Sequence, residues 1–489
     1  MLTYNFANKG SDSLYEYLYK CIKNDILLGN LGVHEKLPSK RSFAKNLGIS
    51  VITVENAYEQ LMAEGYIYSI PKSGYYVSDL SGIPVHQTEY TSETYEAEEQ
   101  GTDSRTAKAG DKVLLTGGEN AFIADFTSNQ TEHAAFPFSI WNKTMRAVMN
   151  DYQEEMMINP PCGGVMELRK SISSYLKEFC AMYVRPEQII IGAGTEYLYS
   201  ILIQLLGRNV CYGVENPGYP KIAKIYRSMG VKYEYIDLDE EGTSAKKLEE
   251  KKVDIMHISP SHHFPTGMVM PISKRYELLG WVTREKERYI IEDDYDSELR
   301  LAGKPIPSLQ SIDVSGKVIY INTFAKTLCS TVRISYMVLP EALAEKYYRE
   351  LSFYSCTVSN FEQYTLAAFM NAGAFEKHIN RLRNYYQHKR DLILSTFLRE
   401  PLGKYITISE EDSGVHFLMH VNTSMSEQEF LLKTRAKGIR LATLSSFYNA
   451  EQKDSRYENT YVMNYSSIDP AAMERAAGVL LHILQIPGR

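Results

Sequence analysis

Two short apolar runs in this chain each lead into a charged group. Tyr289-Ile290-Ile291 leads into Glu292-Asp293-Asp294-Tyr295, and Val318-Ile319-Tyr320-Ile321 into Thr323-Phe324-Ala325-Lys326. Runs of this length read as buried strands. Others recur at Gln188–Gly192, Val210–Val214 and Ile255–Ile258, alternating with amphipathic stretches such as the one whose inner face is Leu198, Ile201, Leu202 and Leu205. The chain from about residue 121 is therefore expected to be an α/β unit. A charged helix around 375–394 and a strand at 414–419 point to a smaller α+β subdomain at its end, dividing 121–489 near residue 350.

A length of 489 residues implies two or three domains. No stretch approaches the ~20 apolar residues that span a bilayer, and the start is not that of a signal peptide. Six scattered cysteines without metal spacing read as reduced thiols, so a cytoplasmic protein with no metal is expected. Residues 79–120, rich in Ser, Thr, Gly and acids, read as a flexible acidic linker.

Residues 1–78 have a different pattern. Apolar residues at 14, 18, 21, 22 and 26 form a helical stripe. Ser39 starts a second helix with Phe43, Ala44 and Leu47 inside, and Gly48 makes the turn. Ser50 then caps a third helix with Val54, Ala57, Tyr58 and Leu61 inside. Two β-rich segments joined by Pro71-Lys72-Ser73-Gly74 complete a winged helix-turn-helix. The net charge of -7 gives no support to nucleic-acid binding, but Lys36, Lys40, Arg41 and Lys45 are clustered. With the inner face assigned, Val51, Ile52, Thr53 and Asn56 are left to meet the major groove of double-stranded DNA. Ser39, Lys40, Arg41 and Ser50 would lie on phosphates, and Lys72 and Gly74 would form the wing contact.

A lysine and an acid, each at the carboxyl end of a buried strand, are what pyridoxal phosphate requires. The amine forms a Schiff base, and the carboxylate keeps the pyridine nitrogen protonated so that the ring withdraws electrons. Gly192-Ala193-Gly194-Thr195-Glu196 lies between a strand and a helix start, where free amides would cradle a phosphate. Arg333 would pair with that phosphate, Tyr219 would place a ring against the cofactor, and Tyr295 would donate to its phenolic oxygen.

Residues 13–77, with Leu37-Pro38-Ser39-Lys40-Arg41 and Gly48-Ile49-Ser50, resemble the GntR-type winged helix. Residues from about 124 onward resemble fold-type I aminotransferases. Together they resemble the MocR subfamily of GntR regulators, with matches also at Ser261–Gly267, Glu292–Glu298 and His378–Tyr386. The resemblance implies that Lys326 carries pyridoxal phosphate, that Asp293 faces the pyridine nitrogen and Tyr295 the O3′ oxygen, and that Tyr219 stacks on the ring. By the same resemblance Gly194, Thr195, Glu196, Thr323 and Arg333 surround the phosphate.

The chain departs from the family pattern at several points. Ala325 replaces a common serine, His263 a common glutamine, and Val51 and Glu55 two frequent DNA-contacting arginines. Lys221 stands where some members hold an effector carboxylate with arginine, and Arg456 is the nearest C-terminal candidate for that task. The resemblance implies a homodimeric, operator-binding regulator that senses pyridoxal phosphate, an amine or an amino acid. A working aminotransferase with a DNA-binding appendage is the alternative.

Overall fold

The computed structural model describes residues 4, 6, 12–71, 73–79, 122–128, 135–301, 307–412, 414–449 and 457–485. The expected linker from residue 80 on, Lys72 and Arg456 lie outside the described residues. The chain divides into two compact units, and each is described by itself.

The first unit consists of α1 (Leu14–Leu27), α2 (Lys40–Leu47), α3 (Val51–Ala63) and an antiparallel hairpin of β1 (Ile67–Ile70) and β2 (Gly74–Val77). Each helix begins on a serine. Ser13 forms a reciprocal capping box with Glu16, Ser39 Oγ accepts from the Ser42 amide, and Ser50 Oγ accepts from the Thr53 amide. Gly48, at φ 67°, ends α2 in the left-handed conformation that only glycine adopts freely, which turns the chain towards α3. Phe43, Val54, Ala57, Tyr58 and Leu61 are buried with Leu18 and Ile22 of α1. Leu47 is only half-buried.

The second unit opens with β3 (Ala124–Asp125), followed by α4 (Phe138–Asp151), α5 (Gln153–Met156) and α6 (Met166–Cys180). Next come β4 (Ile189–Gly192), α7 (Thr195–Leu206), β5 (Cys211–Asn216), α8 (Pro220–Ser228), β6 (Lys232–Asp237), α9 (Ala245–Glu250), β7 (Ile255–Ile258) and α10 (Ile272–Val282). β8 (Tyr289–Asp294), β9 (Val318–Thr323) and β10 (Ser335–Val338) complete a seven-stranded sheet of order β4-β10-β9-β8-β7-β5-β6. All neighbouring strands are parallel except β10, which runs against both β4 and β9. β4, β7, β9 and β10 are buried along their whole length, as a sheet covered on both faces requires. The sequence did not foretell β6 and β10. β6 is a half-buried edge strand of mixed polarity, and β10 is only four residues long. The strand before Lys326 ends at Thr323, and β8 runs through the three acids, so Asp293 lies within its last turn of pleat.

After α11 (Glu341–Leu351), α12 (Asn360–Asn371) and the 24-residue α13 (Ala374–Phe397), a second sheet forms from β11 (Ile406–Ser409), β12 (His416–Val421), β14 (Ala442–Thr443) and β15 (Thr460–Asn464). Its order is β11-β12-β15-β14, antiparallel throughout, with α14 (Glu427–Ala436) and α15 (Pro470–Gln485) beside it. β13 (Ile439–Arg440) pairs in parallel with β3, so the first described stretch of this unit belongs structurally with its end. Among the described residues, no helix is long and apolar enough to cross a membrane.

Candidate functional site

In an open α/β sheet, ligands bind beyond the carboxyl ends of the strands. A cavity of about 320 Å³ opens there, and its lining includes Lys326, Asp293, Tyr295, Tyr219, Thr195 and Arg333. Of the cofactor residues named from the sequence, Gly194, Glu196 and Thr323 also line it, as does the effector candidate Lys221. Burial pushes the Lys326 amine down to about 8, a shift that the charge of Asp296 partly opposes. A lysine so placed is neutral in a larger fraction of molecules at neutral pH than a surface lysine, which is the form that attacks a carbonyl carbon.

Asp293 is held from one side only. Its Oδ2 accepts from the Tyr199 hydroxyl and lies 3.5 Å from His257 Nε2, while its Oδ1 is buried with no hydrogen-bond partner. The Tyr226 hydroxyl is 2.8 Å from His257 Nδ1, and burial raises that phenol well above its ordinary pKa, so it stays a donor. A Tyr226 proton directed at Nδ1 leaves the histidine proton on Nε2, facing the carboxylate. Tyr199 and His257 were missed in the sequence. His257 had a readable signal, a lone polar residue inside the apolar run Ile255-Met256-His257-Ile258; Tyr199 looked like one more apolar-face residue of α7.

At the other end of the cavity, Gly194 precedes α7 at φ 91°. A Cβ there would run into the Arg333 guanidinium, so the cradle needs glycine for close approach as well as for its backbone. Arg333 Nη2 donates to Glu196 Oε2 at 2.7 Å, and Lys221 donates to Glu196 Oε1. Burial works to raise the Glu196 carboxyl, but Lys221, its own helix-start amide and Arg333 overcome it and hold the group at about 2. Lys221, an effector candidate in the sequence, is thus occupied within the phosphate end. Thr323 Oγ1 accepts from the Ala325 amide at 3.2 Å and from Ser335 Oγ at 2.8 Å, so its oxygen is already well used. Ser330, not singled out in the sequence, lines the cavity, whereas Cys329 does not.

The Tyr295 hydroxyl is 3.2 Å from His262 Nδ1, which is 2.9 Å from both oxygens of Asp296. His262, Asp296 and His416 are all buried, with ligand-type atoms within 4.8 Å of one another. The sequence pointed to no metal; this histidine–aspartate cluster assembles from three distant segments. His263, in place of the common glutamine, has Nδ1 2.7 Å from Thr266 Oγ1, and burial lowers it to about 3. Its neighbour Glu215 is pushed up by burial to about 8, so the two meet as neutral groups at neutral pH.

In the first unit, Val51 and Ile52 are exposed at 42% and 67%, on the first turn of α3 beside exposed Asn56. Arg41, Ser39 and Ser50 are exposed too, although both serine oxygens already serve as caps. Thr53 is half-buried and shares a 2.8 Å hydrogen bond with Ser50. Lys40 differs from Arg41: its amine pairs with Glu55 at 2.7 Å and sits 5.5 Å over the Tyr75 ring. Gly74 opens β2 in the wing, against the stem of Lys36.

An α/β unit of this topology, joined in one chain to a winged helix, is that of a transcriptional regulator built on an aminotransferase-like domain. Residues 14–77 match the bacterial regulatory proteins of the gntR family, and residues 123–479 match aminotransferase class I and II. The uncharacterized HTH-type transcriptional regulator YdeL of Bacillus subtilis is 38% identical, over 91% of this chain and 92% of its own. The probable rhizopine catabolism regulatory protein MocR of Rhizobium meliloti is 28% identical, over 96% and 93%. The kynurenine aminotransferase of Pyrococcus horikoshii, solved in complex with PMP, shares the fold at a TM-score of 0.63 and 22% identity, covering 75% of this chain and 93% of that one. The chain belongs to the GntR regulators of the MocR subfamily, in which a DNA-binding winged helix is fused to an aminotransferase class I and II domain.

Proposed function

We propose that this regulator holds pyridoxal phosphate on Lys326 and couples the state of that pocket to operator binding as a homodimer. Residues 1–78 read the DNA, 121–489 sense the ligand, and 79–120 tether the two. When bound, the cofactor supplies an electron-withdrawing ring and a carbonyl carbon that captures amines. The residues fit it. Asp293 Oδ1 lacks a partner where a protonated ring nitrogen would supply one, and Gly194 lets the Arg333 guanidinium come close to the start of α7. Tyr295 would donate to a phenolic oxygen, Thr195 and Arg333 would hold phosphate, and Tyr219 would cover the ring. The observation that carries the reading is the pairing, in one cavity, of a buried amine of lowered pKa with a carboxylate oxygen left open.

An effector shifts such a regulator only by its different affinity for the two arrangements. The test is an absorbance titration with pyridoxal phosphate, followed by footprinting upstream of the protein's own gene with and without it. A cofactor band in the wild type that disappears in Lys326→Ala, with a footprint that changes on loading, is expected. A Lys326→Ala protein with the same band and response overturns the reading. Sustained turnover of an amino donor with a 2-oxo acid would mark an enzyme instead.

A further inference from the structure

The geometry points to an aryl-bearing amine without a carboxylate as the ligand sensed beside Lys326, an inference that rests on the cofactor reading above. Among the described residues lining the cavity, the lysines and arginines are Lys221, Lys326 and Arg333. Lys221 and Arg333 both close on Glu196 at the phosphate end, and Lys326 holds the cofactor until an amine displaces it. Among the described residues, a ligand carboxylate would therefore meet Asp293 and Asp296 with no guanidinium to receive it, and an unpaired buried charge is strongly disfavoured.

Part of the remaining wall is aromatic. Phe264 meets Tyr219 edge to face at 5.9 Å and 87°, and Phe447 at 5.2 Å and 88°. Behind them lies an apolar cluster of Leu418, Leu444 and Val462, all buried. Perpendicular rings present both edges and faces, the arrangement that receives another ring well. The wall is fastened across the cavity. The Gly218 amide donates to the Phe447 carbonyl at 3.2 Å, and the Asn449 amide to Asn216 Oδ1 at 2.9 Å. An aryl group wedged under Phe447 would thus act on both ends of that fastening at once.

With the cofactor held on Lys326 as a Schiff base, a primary amine would take the lysine's place on the imine carbon, and Lys326 would be released as a free amine with the protons that the incoming nitrogen gives up.

The experiment uses full-length protein loaded with pyridoxal phosphate and follows the cofactor band during titration with 2-phenylethylamine, phenylalanine or n-butylamine. The first is expected to act at roughly tenfold lower concentration than either of the others, a size set by one buried ring and one unpaired charge. Phe447→Ala is expected to remove the advantage over n-butylamine, with a melting curve confirming that the variant is folded. Phenylalanine acting at equal or lower concentration overturns the inference, as does an unchanged ratio in folded Phe447→Ala. A lysine-dependent band with the wrong amine preference defeats this inference alone. The absence of any lysine-dependent band defeats the cofactor reading, and this inference with it.

Discussion

Replacing Lys326 with methionine is expected to stabilise the cofactor-free protein at neutral pH and to have no such effect in strong alkali. Methionine keeps most of the side chain's volume and removes the charge. Burial moves the Lys326 amine from its ordinary 10.5 to about 8. That gap, at about 1.4 kcal/mol per pH unit, amounts to roughly 3 kcal/mol. Below about 8 the folded and unfolded chains both carry the proton, and the folded state bears the full cost of a charge removed from water. Between about 8 and 10.5 the folded chain has shed the proton while the unfolded chain still holds it, so wild-type stability rises with pH through that window. Above 10.5 neither state is charged and the difference vanishes. Urea unfolding of cofactor-free wild type and Lys326→Met, at pH 7 and pH 10.5, measures this directly, because other titrating groups are common to both chains and cancel. A variant no more stable than wild type at pH 7, or a gain of equal size at both pH values, refutes the reasoning.

Glu196→Gln removes the carboxylate that competes with a phosphate for Arg333 and Lys221. Since those pairs are partly exposed and worth about 1 kcal/mol, pyridoxal phosphate affinity is expected to rise about fivefold by absorbance titration, and a fall contradicts the assignment. Arg41→Ala is expected to weaken operator and random DNA alike and to reduce the slope of log affinity against log salt by about one. Lys40→Ala, already paired with Glu55, should change that slope less; equal slopes would mean that the pair opens on DNA. Ser50→Ala deletes the acceptor for the Thr53 amide and should lower the stability of the first unit by about 1 kcal/mol, read from its melting transition.

Much of this was legible in the chain because the local signals were strong. Serine caps, glycine stops and a helical apolar stripe locate α1, α2 and α3 within a residue or two. Largely apolar runs locate β4, β7 and β9. What remained hidden depends on partners far apart in sequence. Nothing near Tyr199 says that its hydroxyl reaches Asp293, 94 residues on. Lys40 reads as a phosphate contact until Glu55, on the next helix, is seen to occupy it. Lys221 likewise reads as an effector anchor until Glu196 is brought alongside. β10, Ser-Tyr-Met-Val, has a polar start that hides it beside the apolar runs, and its place between β4 and β9 follows from sheet topology alone.

That short reversed strand has a consequence for how the pocket can fail. Ser335 stands opposite Gly192 on one side and Thr323 on the other. The connection from Thr323 to Ser335 carries both Lys326 and Arg333, and the strand it abuts runs on into Gly194. A slip of β10 by a single residue would therefore dislocate the covalent anchor, the guanidinium and the glycine cradle together. Damage to Ser335 or its neighbours should thus mimic loss of the lysine, although no atom of that strand need ever touch a ligand.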